Sequence, residues 1–394
     1  MFNTTSLLQS RALLTILLSF AFASSLNAQT SIPDANFEQA LIDLGHDSVI
    51  DGMVNTSNIS TVTFLDLDSL NISNLTGIED FTDLQYLICS FNPLNSLNLS
   101  QNSALVYLNC ASASLTSLNV TQNVNLMQLF CQNNSLSTLD VTQNPNLTSL
   151  NCEGTSIASL DVTQNTNLLF LECSWNSISS LDLTQNTELG SLRCRNNSLT
   201  FLDVTQNSLL EELWCYENLL TSLDVSQNPN LSTLHCSLNS ITSLDVTQNL
   251  SLVMLRCGGN SITELDVSQN SSLNFLNCDN NELNCLNLRN GNNTNFQQFS
   301  ATNNPNLFCV EVDDVIWAEA NWDDQTPFPN IDSQVYFSTD CSNTCYLGLQ
   351  EVSDNNKQVV RVIDLMGREI EPQVNRQMIY IYSDGSSKKV FRVE

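Results

Sequence analysis

The sequence predicts a mainly parallel β-solenoid, α/β by convention, of about eleven short coils, capped at both ends and followed by a small C-terminal β-sandwich. Three observations predict it. Ten of the 14 cysteines stand at 89, 110, 131, 152, 173, 194, 215, 236, 257 and 278, a constant spacing of 21. A leucine precedes each of them by five residues and another by two, from Leu84 and Leu87 to Leu273 and Leu276. The residues between repeat as L-x-x-L-x-C-x-x-N-x-[LI]-x-x-L-[DN]-[VL]-[ST]-Q-N-x-x. Residues two apart on an extended strand share a face, so each Leu–Cys pair makes one apolar strand face. A single coil cannot bury that face. Stacking coils about 4.8 Å apart joins the faces into one core and one parallel sheet.

Taken in order, the chain begins with Arg11 and an apolar run, Ala12–Ala21, then small and polar residues to Ala28. The run is short for a bilayer and reads as a secretory signal peptide, residues 1–28. No later segment is apolar enough to predict a membrane span. Residues 29–61 form an N-terminal cap, where Pro33-Asp34 opens a helix with Phe37, Leu41 and Leu44 on one face. The repeats occupy 62–290, starting with a looser copy through Leu65, Leu67, Leu70, Ile72, Leu75 and Ile78. In each coil Leu94, Leu97, Leu99 and their equivalents close the core from the far side. Asn92, Asn102 and most of their equivalents stack as amide ladders that satisfy turn backbone. The repeat cysteines read as small buried apolar residues, because an in-register parallel stack aims them side by side into the interior.

At this point the unit resembles the leucine-rich repeat, with Cys where a leucine usually stands, and ten copies hold register without an insertion. Residues 29–61 resemble the N-terminal caps of secreted leucine-rich-repeat proteins of the Bacteroidetes. Residues 291–345 resemble their C-terminal cap, through Cys309-Val-Glu-Val-Asp-Asp314, Asn321-Trp322 and Cys341. That resemblance implies a disulfide, with Cys309–Cys341 the expected pair and Cys285 or Cys345 as alternative partners. Residues 346–394 resemble a type IX secretion sorting domain, through Val362-Ile-Asp-Leu-Met-Gly-Arg-Glu369 and Ile379-Tyr-Ile-Tyr-Ser-Asp-Gly385. The resemblance implies export through that machinery and either removal of the tail or attachment at the surface.

Charge sets the tail apart and limits the partners. The chain carries 41 acidic and 12 basic residues, a net −29. After Tyr346 acids and bases balance at seven each, so residues 29–345 hold 34 acids against 4 bases. Such a surface repels nucleic acid and anionic membrane. Enzyme signatures are absent: two histidines, no phosphate loop, no His/Glu metal motif and no G-x-S-x-G elbow, so neither catalysis nor a cofactor is expected.

What varies from coil to coil is the outward strand position before Cys and the one after it. The only bases in the array apart from Arg289 fall on these rows: Arg193, Arg195 and Arg256. Phe170, Trp175, Trp214, Tyr216 and His235 join them, on the coils of Cys173 to Cys257. Arginine and aromatic side chains combine large buried area with polar handles, which binding hot spots favour. The expected function is therefore recognition of a protein ligand on the concave face of an exported solenoid, for adhesion or partner capture. The alternatives are a surface glycan stacked on the same aromatics, or a passive structural surface component. One further ladder, Asp140, Asp161, Asp182, Asp203, Asp224, Asp245 and Asp266, faces solvent and is expected to cap turns, with a calcium-dependent ladder as the alternative.

Overall fold

The computed structural model describes residues 28–323 and 330–341, together with the backbone of three strands nearer the C-terminus. The signal sequence, Cys345 and most of the tail motifs lie outside the described residues. Residues up to Thr339 form one compact unit and those from Asp340 a second.

The first unit opens with β1 (Gln29–Ser31), α1 (Ala35–Asp43), β2 (Met53–Asn55) and the single turn α2 (Thr56–Ile59). Asp34 starts α1 as the sequence requires. One carboxylate oxygen takes the N–H groups of Asn36 and Phe37, and the other takes Ser73 N–H at 2.8 Å, pinning the cap to the first coil. Phe37 and Leu41 are buried. Leu44, expected on the same face, is 49% exposed because the helix has already ended at Asp43. Glu38 is buried, and one of its carboxylate oxygens accepts from the backbone N–H groups of Asp51, Gly52 and Met53.

The main sheet has twelve parallel strands. They are β3 (Phe64–Asp66), β4 (Tyr86–Ile88), β5 (Tyr107–Asn109), β6 (Gln128–Phe130), β7 (Ser149–Asn151), β8 (Phe170–Glu172), β9 (Ser191–Arg193), β10 (Glu212–Trp214), β11 (Thr233–His235), β12 (Met254–Arg256), β14 (Phe275–Asn277) and β16 (Gln298–Ser300), with β13 (Glu264–Asp266) belonging to a second sheet. Register is constant: Leu213 pairs with Leu192 and Leu234, and Trp214 with Arg193 and His235. The sheet gains a coil beyond residue 290, where Phe299 takes the leucine position and Ala301 the cysteine position, both buried. The ten repeat cysteines are free and buried between Leu67 at one end of their column and Ala301 at the other. Burial pushes their thiols up, Cys110 and Cys236 to about 12, so they stay protonated and behave as small apolar groups.

Two asparagine columns hold the turns. Asn134 donates to Cys110 O and Cys131 O and accepts from the N–H of Ala113 and Leu115. Asn144, from the second column, donates to Val120 O at 3.0 Å and Asn123 O at 2.8 Å. Each amide thus satisfies backbone groups that the coil geometry leaves without a ladder partner. Every coil leaves its strand through a left-handed residue, from Ser69 to Asn303; the N–H of each up to Asn280 reaches the next coil, as Trp175 N–H does to Arg195 O, and that of Asn303 reaches the Asp332 carboxylate.

At the far end β13, β15 (Cys285–Asn287), β17 (Cys309–Glu311) and β18 (Tyr336–Ser338) form the second, four-stranded parallel sheet. Helix α3 (Val315–Asn321) precedes Trp322, whose ring packs against Phe296, Phe299, Trp317 and Phe337. This aromatic plug covers the open end of the core, as a solenoid requires. Cys285, Cys309 and Cys341 are disulfide-bonded. In the second unit β19 (Val359–Ile363), β20 (Arg376–Tyr382) and β21 (Ser387–Arg392) make one antiparallel sheet in that order. Among the described residues no helix is long and apolar enough to cross a membrane.

Candidate functional site

The strand leucines point into the core, so the residues on either side of each leucine point out and build the open face of the main sheet. On β8 to β12 that face carries most of the residues singled out in the sequence. Arg193 lies between two rings, its guanidinium 4.5 Å from the Trp214 centroid and 5.7 Å from that of Phe170. Glu212 grips it through both carboxylate oxygens, at 3.1 Å and 3.0 Å, and Glu172 stands 4.0 Å away. Arg195 pairs with Glu153 at 2.8 Å and donates to the Tyr216 hydroxyl at 2.8 Å. Tyr216 stacks on His235 at 4.0 Å, and Trp214 meets His235 edge-on. Arg256 lies 4.5 Å over the Phe275 ring, and among the described residues it has no acidic partner.

The electrostatics follow from this packing. Burial, then the charges of Arg256 and Arg195, push His235 down to about 4, so its ring is neutral at ordinary pH. Burial raises the Glu172 carboxyl, with the neighbouring Glu153 adding to it. The Nε of Arg195, the Nε of Arg256 and the indole N–H of Trp214 are buried with no hydrogen-bond partner among the described residues. Interleaved cations and rings fix one another by cation–π and bidentate contacts, giving a rigid, preorganised patch. Trp175 is not part of it. It occupies the left-handed position after its strand (φ 55°), is 51% exposed, and makes no ring or ion contact with the cluster.

A second aromatic group lies on β3 to β6. Phe64, Tyr86 and Tyr107 stand on paired positions of adjacent strands, with ring centroids 6.5 and 6.1 Å apart. Phe130 continues the stripe 5.6 Å from Tyr107. Ser149 and Asn151 of β7 separate this stripe from the arginine cluster.

The aspartate ladder is occupied by turn chemistry. Asp140, Asp161, Asp182, Asp203 and Asp245 each accept from the backbone N–H and hydroxyl of the threonine two residues on. Asp224 and Asp266 accept from the N–H of Ser226 and Ser268. These bonds hold Asp140, Asp161, Asp182, Asp224 and Asp245 below the usual carboxylate range. Among the described residues no cluster of three His, Cys, Asp or Glu groups is placed to hold a metal.

The column of free, buried cysteines has a counterpart among solved structures. One described as "Functional domain of InlJ from Listeria monocytogenes includes a cysteine ladder" is 34% identical, covers 79% of this chain, is covered over 72% of its own length, and superposes with a TM-score of 0.64. The chain belongs to the internalin-type leucine-rich-repeat proteins. A second internalin of that organism, InlF, shares the fold at 20% identity, over 74% of this chain and 95% of its own, with a TM-score of 0.60. Internalin J of Listeria monocytogenes is 41% identical over 71 residues, which are 18% of this chain and only 8% of Internalin J. No protein-family model matches the chain.

In this internalin-type sheet, the sequence reading followed the two rows flanking each cysteine and passed over the row before each strand leucine. Glu212, Phe275, Phe64, Tyr86 and Tyr107 all sit on that first row. Phe170 was the sole member recognised. The signal was present in the L-x-x-L spacing, whose second x points the same way as the residue after the leucine.

Proposed function

We propose that this internalin-type chain is a secreted or cell-surface, non-enzymatic binding protein that recognises a protein ligand through the concave, open face of its main sheet. Signal residues 1–28 and the sorting-domain resemblance of 346–394 support export through type IX machinery, and residues 29–61, 62–290 and 291–345 are the caps and repeats that present the face. One observation carries the binding reading. Arg193 and Arg195 on the β9 coil and Arg256 three rungs on at β12, the array's only bases before Arg289, all lie along the open face, and the first two interleave with Phe170, Trp214 and Tyr216, which stacks on His235. Drifting surface positions would scatter bases over all faces, and an anionic solenoid keeps them where a partner needs them.

The test screens the full chain and a Trp214→Ala/Arg256→Ala variant of equal Tm on protein and glycan arrays. A protein hit of the parent that weakens at least tenfold in the variant is the expected outcome. Hits competed away by free sugars would move the site to glycan recognition. Hits unchanged in the variant, or none at all, would leave a passive surface component.

A further inference from the structure

We propose that the stripe Phe64–Tyr86–Tyr107–Phe130 is a second and separate ligand site, built for an uncharged polysaccharide chain. The rings lie on adjacent rungs at centroid steps of 6.5, 6.1 and 5.6 Å, tilted 29–43° to one another, so they form a shingled ledge rather than a closed core. They are not buried: Phe64 is 56% and Tyr86 42% exposed, and Tyr107 and Phe130 are half-buried. A continuous exposed aromatic surface of this kind marks a binding site.

Its surroundings select the ligand. Every outward residue on β4, β5 and β6, and each residue after the following cysteine or its equivalent, is neutral, in a chain of net charge −29. A polyanion would be repelled by the molecule as a whole, and a polycation would find carboxylates only at the β3 end of the stripe, on Asp66 and Asp68. A flat uncharged ligand remains, with an apolar face for the rings and hydroxyls for the amides. Gln128 projects beside Tyr107 and makes no side-chain hydrogen bond with any described residue. Asn109 uses its oxygen on Ala111 N–H and keeps its NH2 as a donor. The phenols of Tyr86 and Tyr107 likewise make no hydrogen bond with any described residue. Sugar rings stacked along the ledge satisfy these groups, and the run of four rungs suits an extended chain better than a single terminal sugar. The arginine cluster is charged where the stripe is not: Arg193 and Arg195 are paired with Glu153, Glu172 and Glu212, and β7 stands between. The two sites therefore succeed or fail independently.

Affinity electrophoresis tests the proposal on the full chain, in native gels cast with a neutral glucan, a neutral mannan, a polyuronate or no polymer. The expected result is retardation by a neutral polymer and none by the polyuronate. Tyr86→Ala/Tyr107→Ala should weaken it at least tenfold, and Tyr86→Phe/Tyr107→Phe, which keeps the stacking faces, should retain most of it. Trp214→Ala/Arg256→Ala should leave it unchanged. The proposal is overturned if neither neutral polymer retards the parent, if the polyuronate retards it equally, or if the Phe pair and the arginine-cluster pair lose retardation as the Ala pair does.

Discussion

A cysteine in the repeat column is chosen for its size and its reluctance to ionise. Cys194 is fully buried beside Leu192 and Leu213, with the thiol pushed up by burial. Cys194→Ser should destabilise the chain by about 1–3 kcal/mol in urea unfolding, since the hydroxyl is more polar than the thiol and has no partner in the column. His235 is the residue to watch from the acid side. Its folded-state value near 4 lies below the 6.5 of a free imidazole, so the unfolded chain binds a proton that the native one refuses. That contribution is intact above pH 6.5 and is lost as pH falls towards 4. An NMR titration should find His235 neutral at pH 5.5, and His235→Gln should flatten this part of the stability profile.

At the scale of the coil, what matters is how one element satisfies the next. Asn186 donates to Val162 O at 3.0 Å and Asn165 O at 2.9 Å. Asn186→Leu removes both bonds in a buried turn and should cost about 1–3 kcal/mol, with hydrogen exchange accelerated first in the two coils it bridges. The aspartate ladder works locally by comparison. One oxygen of each carboxylate is engaged by the following Thr or Ser, and no cluster of three such groups is placed for a metal among the described residues, so a chelator should leave Tm unchanged, whereas a drop of several degrees would restore the calcium reading. Coils of this kind were legible in the sequence because each framework position recurs. The open-face partners were less so: Glu212 gripping Arg193 and Tyr216 stacking on His235 depend on which rows meet across strands. A single coil carries no trace of those pairings. Trp175 does not share the open face because it is the left-handed exit residue just past the strand, where the alternation of Leu171 and Cys173 no longer holds.

For the whole molecule, ten thiols act together. The unfolded chain ionises near pH 9, while in the native solenoid burial holds every repeat thiol above that value, Cys110 and Cys236 at about 12. The contribution of the thiols is therefore complete below pH 9 and falls as pH climbs from 9 towards 12, at up to about 1.4 kcal/mol per thiol per pH unit. Urea midpoints should drop steeply over that window, and a thiol reagent should count almost no repeat cysteine before unfolding and all ten afterwards. The ends of the solenoid were readable as caps from helix and cysteine signals. The plug around Trp322 was not, because it gathers Phe296, Phe299 and Phe337 from separate turns.

Constant register also makes distance on this protein come in steps. Ser149 and Asn151 occupy the rung between Phe130 and the cluster that begins at Phe170. Duplication of that 21-residue unit would slide the two aromatic neighbourhoods apart by one strand spacing, about 4.8 Å, and deletion would bring them together by the same amount. Duplication leaves every contact within each group in place, whereas deletion of the whole coil also removes the Glu153 partner of Arg195. Recombination between near-identical coils is thus a ruler, with which a lineage can retune the reach between two surfaces without redesigning either.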